Sequence, residues 1–375
     1  MAVATERKSP LAMTSSRTAA HSPYMEYAKL YSAAKYNLAT SGVMSYPLAE
    51  LPVRLEDLEI NGPTVYGYAP LQERLAKLNG VKEENVVAAY GTSMANHLAM
   101  AGTFDSGDEV LIEEPTYELL TSALAFLGAK IKRFPRPYES GFAIDPADVK
   151  RVITPNTKLI VITNLHNPSS VLTSDAVLRE VGEIAAKHGA RVLVDEVYLE
   201  ALGDKRPKPA IHLGENFLVT SSLTKAFGLS GVRCGWILAE PKLAHRIWRM
   251  NDLFAATPSH PADRISVIAL DNLSRVAERA HRILDENHRA LNELLASRNE
   301  IDFVNPGVGT TVFPKLRSGS VEAFDRFLRE KYETAIVPGK FFEMPQHFRI
   351  GLGGDTAMTR EGLKRLATAL AEFRP

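Results

Sequence analysis

The sequence predicts an α/β protein, a mostly parallel sheet covered by helices and followed by a smaller α+β domain. Three observations predict it. Short runs that are apolar throughout recur between about residues 86 and 239, and strands apolar on both faces belong to a sheet buried on both sides. Helical patterns separate these runs, the alternation of a wound parallel sheet. From Asp302 onward the pattern changes to short strands mixed with helices.

Each element follows from local pattern. Tyr24, Tyr27, Ala28 and Tyr31 have helical spacing, so a helix is expected from Pro23 to Lys35. A Gly- and Pro-punctuated segment, Ser41 to Pro63, follows. Val86–Tyr90 reads as a strand, then Gly91-Thr92-Ser93 opens onto a helix from Met94 to Thr103. Glu109–Glu113 is a strand, and Tyr117–Leu127 a helix ended by Gly128. Lys158–Thr163 is a third, nearly all-aliphatic strand. Ser174 caps a helix over Asp175–His188, closed by Gly189. Val192–Val194, Phe217–Thr220 and Gly235–Ala239 complete the strands. Leu243 to Leu295 is amphipathic and helical. Beyond it come Gly309–Phe313, Ser320–Tyr332, Arg349–Leu352 and Thr359–Phe373.

The organisation expected is a flexible tail over residues 1–22, an N-terminal segment over 23–55 packing on the small domain, a large domain over 56–265 and a small α+β domain over 266–375. The tail is rich in Ala, Ser and Thr and lacks the apolar core of a secretory signal. Lys+Arg and Asp+Glu both number 44, for a net charge of zero. That balance argues against nucleic acid or an anionic membrane as the main partner. No run approaches the roughly 18 to 20 apolar residues of a membrane span. The lone cysteine, Cys234, rules out an internal disulfide and a thiolate metal cluster. It fits a reducing compartment, so a cytoplasmic location is expected. The acidic pairs Glu113-Glu114 and Glu56-Asp57 lack His partners at ligand spacing, so no metal is implied.

Ligands of wound sheets bind at the carboxyl ends of the strands. Four such ends carry chemistry here: Gly91-Thr92-Ser93, then His166-Asn167-Pro168, then Asp195-Glu196-Val197-Tyr198, then Ser222-Leu223-Thr224-Lys225 with Arg233. A lysine can form an imine with an aldehyde once burial or a cationic neighbour lowers its pKa. An aspartate can keep a ring nitrogen protonated. Tyr and Asn can donate to a phenolate. Ser222, Arg233 and a helix N-terminus at Thr92-Ser93 suit a phosphate dianion. Aldehyde, ring cation, phenolate and phosphate together describe pyridoxal 5'-phosphate (PLP).

These motifs resemble the fold-type I PLP-dependent enzymes of the class I/II aminotransferase family. Ser222 to Gly235 resembles the family's lysine signature, His166-Asn167-Pro168 its Asn-Pro turn, and Asp195 to Tyr198 its Asp-x-x-Tyr. Asn167, Asp195, Lys225 and Arg233 follow one another 28, 30 and 8 residues apart, as in the family. The resemblance implies the PLP-dependent transferase fold with a seven-stranded sheet. It makes Lys225 the imine-forming lysine and proton carrier, with Asp195 on the ring nitrogen and Tyr198 and Asn167 on the phenolate. It puts Thr92, Ser93, Ser222 and Arg233 on the phosphate, and Tyr117 stacked on the ring. It assigns Arg349 to the substrate carboxylate, with Asn167, Ser41 and Gly42 beside the substrate. It implies a homodimer in which Tyr66 or Tyr68 reaches the partner subunit's phosphate, and amino acid and 2-oxo acid substrates.

Three features depart from the family. The position after Arg233, usually aliphatic, is Cys234, read as a small core residue beside an aliphatic strand. Ser169-Ser170 follows the Asn-Pro turn where a Gly is usual, and Asn37 to Val43 lacks the common glycine-rich wording. That segment also bears some resemblance to PLP enzymes that remodel arginine derivatives. The reaction expected is transamination. A PLP-dependent lyase, cyclase or decarboxylase would use the same cofactor residues, and a non-catalytic PLP-binding protein would keep the same fold.

Overall fold

A computed structural model describes residues 21–374. The tail expected over residues 1–22 therefore lies outside the described residues, apart from His21 and Ser22. The chain begins with helix α1 (Pro23–Leu30), capped by Ser22, whose Oγ accepts from Met25 N. It stops well short of Lys35. Tyr24 is buried, but Leu30 and Tyr31 are more than half exposed, so the apolar stripe loses its partner surface after one and a half turns. The chain then extends into β1 (Tyr36–Asn37).

Helix α2 (Ala69–Asn79) leads into the central sheet. Its strands and intervening helices are β2 (Val86–Tyr90), α3 (Gly91–Ala101), β3 (Glu109–Glu114), α4 (Glu118–Phe126), β4 (Lys130–Pro135), α5 (Pro146–Val152), β5 (Thr157–Thr163), α6 (Asp175–Lys187), β6 (Arg191–Asp195), β7 (Phe217–Ser222) and β8 (Cys234–Leu238). The seven strands stand in the order β2-β8-β7-β6-β5-β3-β4. All neighbours are parallel except β8, which is antiparallel to both β2 and β7. Strands β3, β5, β6 and β7 are buried almost throughout, the pattern expected under helices on both faces. Each apolar run anticipated from sequence became a strand. Strand β4 and helix α5 were not anticipated. β4 sits at the sheet edge and alternates Lys130, Lys132 and Arg133 with apolar residues, so it lacks the continuous apolar signature.

Register places the functional strand ends side by side. Thr163 on β5 pairs with Asp195 on β6, and Asp195 pairs with Thr220 on β7. Helix α3 begins at Gly91, three residues earlier than its pattern suggests, so Thr92 and Ser93 lie within its first turn.

Beyond β8 come α7 (Pro241–Asn251), α8 (His260–Asp271) and the long α9 (Leu273–Leu295). A second apolar cluster joins α9 to α10 (Val321–Tyr332) and α11 (Thr356–Glu372), through Leu291, Leu295, Phe324, Leu363 and Leu366. Phe348–Gly351 lies between Thr311–Val312 and Val337–Pro338 in a small antiparallel sheet. The N-terminal segment joins this half of the molecule. β1 pairs in parallel with Thr334–Ala335, and Leu38 is buried in the same cluster. Among the described residues no helix is long and apolar enough to cross a membrane.

Candidate active site

The strand ends, the start of α3 and the segment 39–45 enclose a cavity of about 430 Å³, within the size range of small-molecule sites. Thr92, Ser93, Tyr117, Asn167, Asp195, Tyr198, Lys225, Arg233, Ser41 and Gly42 all line it. Two residues singled out from sequence stand behind its wall. Ser222 is fully buried; its Oγ accepts from Thr92 Oγ1 at 2.7 Å and lies 2.6 Å from Thr224 Oγ1. Arg349 is also fully buried and reaches the cavity through Asn167, Tyr24 and the Ala39 carbonyl.

Lys225 extends from the loop after β7. Its Nζ donates to Ser41 Oγ at 3.1 Å, and its carbonyl accepts from Val43 N, so the 41–43 segment is tied directly to the lysine. Asp195, at the end of β6, is 5% exposed. Burial pushes its carboxyl up to about 6, with Asn96, the Val197 N–H and the charge of Lys225 pulling the other way. Asn96 Nδ2 donates to Asp195 Oδ2 at 2.7 Å, while Asn96 Oδ1 accepts from Thr220. Asn96 was not read from sequence. Its signal is a polar residue four positions after Thr92, on the buried face of α3.

A chain of bonds sets Asn167. Arg136 and Glu113 form a fully buried ion pair at 2.7 Å. Glu113 Oε1 accepts from the Thr163 N–H and hydroxyl, and Thr163 Oγ1 accepts from Asn167 N. Asn167 Oδ1 accepts from Arg349 Nη1 at 3.0 Å, which leaves the Nδ2 donor for the cavity. His166 is held neutral: burial and then the nearby Arg136 keep its pKa well below the usual range. Its Nε2 lies 3.0 Å from the Pro115 carbonyl and its Nδ1 2.6 Å from Ser169 Oγ, so Nε2 donates and Nδ1 accepts. Ser170 has a φ of 60°. The turn therefore keeps a glycine-like backbone without a glycine. Ser170 Oγ lies 3.0 Å from Thr311 Oγ1, bridging to the small antiparallel sheet.

At the opposite end, Arg233 donates from Nη2 to the Tyr90 carbonyl. A Cβ on Gly91 would lie 2.3 Å from that Nη2, so the guanidinium can lie over the α3 N-terminus only because residue 91 is glycine. The first-turn N–H groups and Arg233 together form an anion site. Tyr117 lines the middle of the cavity, and burial pushes its phenol well above the ordinary value. His97 lies on α3 against Phe254 in an edge contact, and Cys234 is buried with its thiol pushed up to about 12. Neither joins the site. Tyr66 donates to Asp252, and Tyr68 packs edge-on to His260.

The donor set fits a phosphorylated pyridine aldehyde. It offers a lysine amine, a buried carboxylate with no cation bonded to it, a free amide donor, and an anion cradle on a helix N-terminus. Arg349 Nε is buried without a partner, so a charged donor remains for an anion.

Comparison with known proteins agrees. The family model for aminotransferase class I and II matches residues 58–366. The chain is 27% identical over 359 residues to a capreomycidine synthase of Streptomyces vinaceus, covering 91% of each chain. It is 27% identical over 318 residues to a probable aspartate/prephenate aminotransferase of Aquifex aeolicus, covering 81% of this chain and 80% of that one. Among solved structures, a PLP-dependent aminotransferase from Streptococcus suis superposes with a TM-score of 0.86 at 27% identity, covering 91% of this chain and 95% of that chain. Fold and site define a fold-type I PLP-dependent enzyme. More particularly, the chain belongs to the class I and II aminotransferase family, and its cofactor is pyridoxal phosphate.

Proposed function

We propose that the protein transfers an amino group between an amino acid and a 2-oxo acid, with Lys225 as the residue that binds the cofactor and moves the proton. The observation that carries this reading is the single cavity shared by Lys225, Asp195, Asn167 and Tyr198, with Arg349 bonded to Asn167 behind it. When bound, pyridoxal phosphate supplies an aldehyde carbon for amines and a cationic ring that accepts the electron pair left when the substrate Cα–H bond breaks. Asp195 holds the ring nitrogen protonated; with a pKa of about 6 it is mostly ionised at neutral pH, and a cation beside it favours that state further. Asn167 Nδ2 and the Tyr198 hydroxyl donate to the phenolate oxygen. Thr92, Ser93, Arg233 and, through Thr92, Ser222 hold the phosphate. Arg349 orients the α-carboxylate, a bidentate task that lysine cannot replace. With the cofactor bound, Lys225 Nζ, held beside Ser41 on the cavity wall, would be the group that takes the substrate Cα proton and later returns it as an acid.

The likeness to a capreomycidine synthase supports a second reading, a PLP-dependent cyclase, lyase or decarboxylase. The cofactor residues serve either reading equally. Among the described residues that line the cavity the only acid is Asp195, so a cationic substrate side chain finds no second carboxylate in that lining. Incubating the holoenzyme with a panel of amino acids and no oxo acid separates the two. Transamination converts the bound cofactor to its pyridoxamine form and releases a stoichiometric 2-oxo acid. Steady release of ammonia without that conversion contradicts it.

A homodimer is part of the same reading. Leu55, Ile60, Val65, Tyr66, Leu253 and Phe254 leave large apolar side chains exposed, and a second copy of the chain would cover them. Sedimentation at one subunit mass would contradict this. A cytoplasmic location accords with the single buried thiol.

A further inference from the structure

Helix α1 roofs the cavity. Tyr24, Met25 and Ala28 all line it. The helix is anchored on both sides. Ser22 Oγ and Tyr24 N bond to the Glu118 carboxylate at the start of α4. On the other side, Tyr27 OH donates to the Ile336 carbonyl at 2.7 Å and accepts from Arg329. Tyr24 is thereby fixed between two groups of the site. Its ring meets Tyr117 edge-on at 5.3 Å, and its oxygen accepts from Arg349 Nη2 at 2.7 Å.

Tyr24 lines the cavity and Arg349 does not. A carboxylate entering from the cavity therefore meets the phenol before it meets the guanidinium. A tyrosine hydroxyl that accepts a bond still has one proton to donate. Among the described residues no acceptor takes that proton from Tyr24. We infer that Tyr24 is a second carboxylate-binding group of the substrate site, donating its O–H to the α-carboxylate while its oxygen holds Arg349 in position. Burial pushes the phenol up, but the charges of Arg349 and Lys225 outweigh it and leave Tyr24 below its ordinary value, which makes it a stronger donor. This inference rests on the reading of Arg349 as the carboxylate site.

The test compares two amines that have no α-hydrogen and so cannot react further, on the holoenzyme, followed through the absorbance of the bound cofactor. One is 2-aminoisobutyrate. The other is tert-butylamine, in which a methyl group replaces the carboxylate. Tyr24→Phe keeps the ring packing and removes only the hydroxyl. We expect it to weaken 2-aminoisobutyrate about tenfold, the effect of one hydrogen bond to a charged group, and to leave tert-butylamine unchanged. Equal weakening of both amines would show a packing effect and overturn the inference. No change for either, with Arg349→Ala still weakening the amino acid selectively, would overturn the role of Tyr24 and leave that of Arg349 standing. If Arg349→Ala also leaves the preference for the amino acid intact, the underlying reading of the site fails.

Discussion

Asn96 Nδ2 donates to Asp195 Oδ2 over 2.7 Å, from the buried face of the same helix whose N-terminus forms the anion cradle. One short helix thus serves two ends of the cavity. Its first turn carries Thr92 and Ser93, proposed above for the phosphate, and its second turn holds the acid proposed for the ring nitrogen. The bond favours the charged carboxylate, so losing it must raise Asp195 above its value of about 6. Asn96→Ala should lower kcat about tenfold, the scale of one hydrogen bond to a charged group. It should also move the acidic limb of the pH–rate profile to higher pH. An unchanged profile would remove Asn96 from the machinery.

Ser170 and Gly309 form a matched pair. Ser170 holds a φ of 60°, and a Cβ built on Gly309 would lie 2.6 Å from the Ser170 Cβ. Gly309 itself has a φ of 88°. Gly309→Ala should therefore destabilise the fold by about 2–4 kcal/mol, combining left-handed strain with overpacking. In a Ser170→Gly background the overpacking part disappears, and about 1 kcal/mol or more of the cost should go with it. Chemical denaturation of the four proteins of this cycle measures the difference. Strictly additive costs would contradict the pairing.

Glu196 follows Asp195 and is buried, with its Oε1 accepting from Ala210 N. Burial pushes its carboxyl from an ordinary 4.5 up to about 8. The folded state therefore favours the protonated form. Its stabilising contribution is complete below pH 4.5, declines as the unfolded chain ionises, and is lost by about pH 8. Glu196→Gln retains the acceptor and cannot ionise. Its denaturation midpoint, relative to the parent, should rise steadily between pH 4.5 and 8 and then level off. A constant difference across that range would contradict the assignment.

Much of this architecture was legible in the sequence, for a physical reason. The strands that position Asn167, Asp195 and Lys225 are buried on both faces, so they are continuous apolar runs with polar residues just beyond. The edge strand Lys130–Pro135 has one solvated side and carries charges, so it left no such run. Tyr24 showed only as a member of a helical stripe. It reaches the site because β1 pairs with Thr334–Ala335, some three hundred residues away in the chain, and local pattern cannot carry a contact of that range. Asn96 was obscured differently. Its neighbour His97 is the more conspicuous residue, yet His97 points to Phe254 and Asn96 to Asp195. The Ser169-Ser170 departure was visible, but only the structure shows that Ser170 takes the backbone conformation a glycine would have.

The most direct test is the position of the covalent bond. The purified protein, loaded with pyridoxal phosphate and reduced with borohydride, should yield one modified peptide with the pyridoxyl group on Lys225, and Lys225→Ala should lose both that adduct and turnover. An adduct on a different lysine, or a Lys225→Ala protein that still carries the reducible cofactor and turns over, would contradict the account.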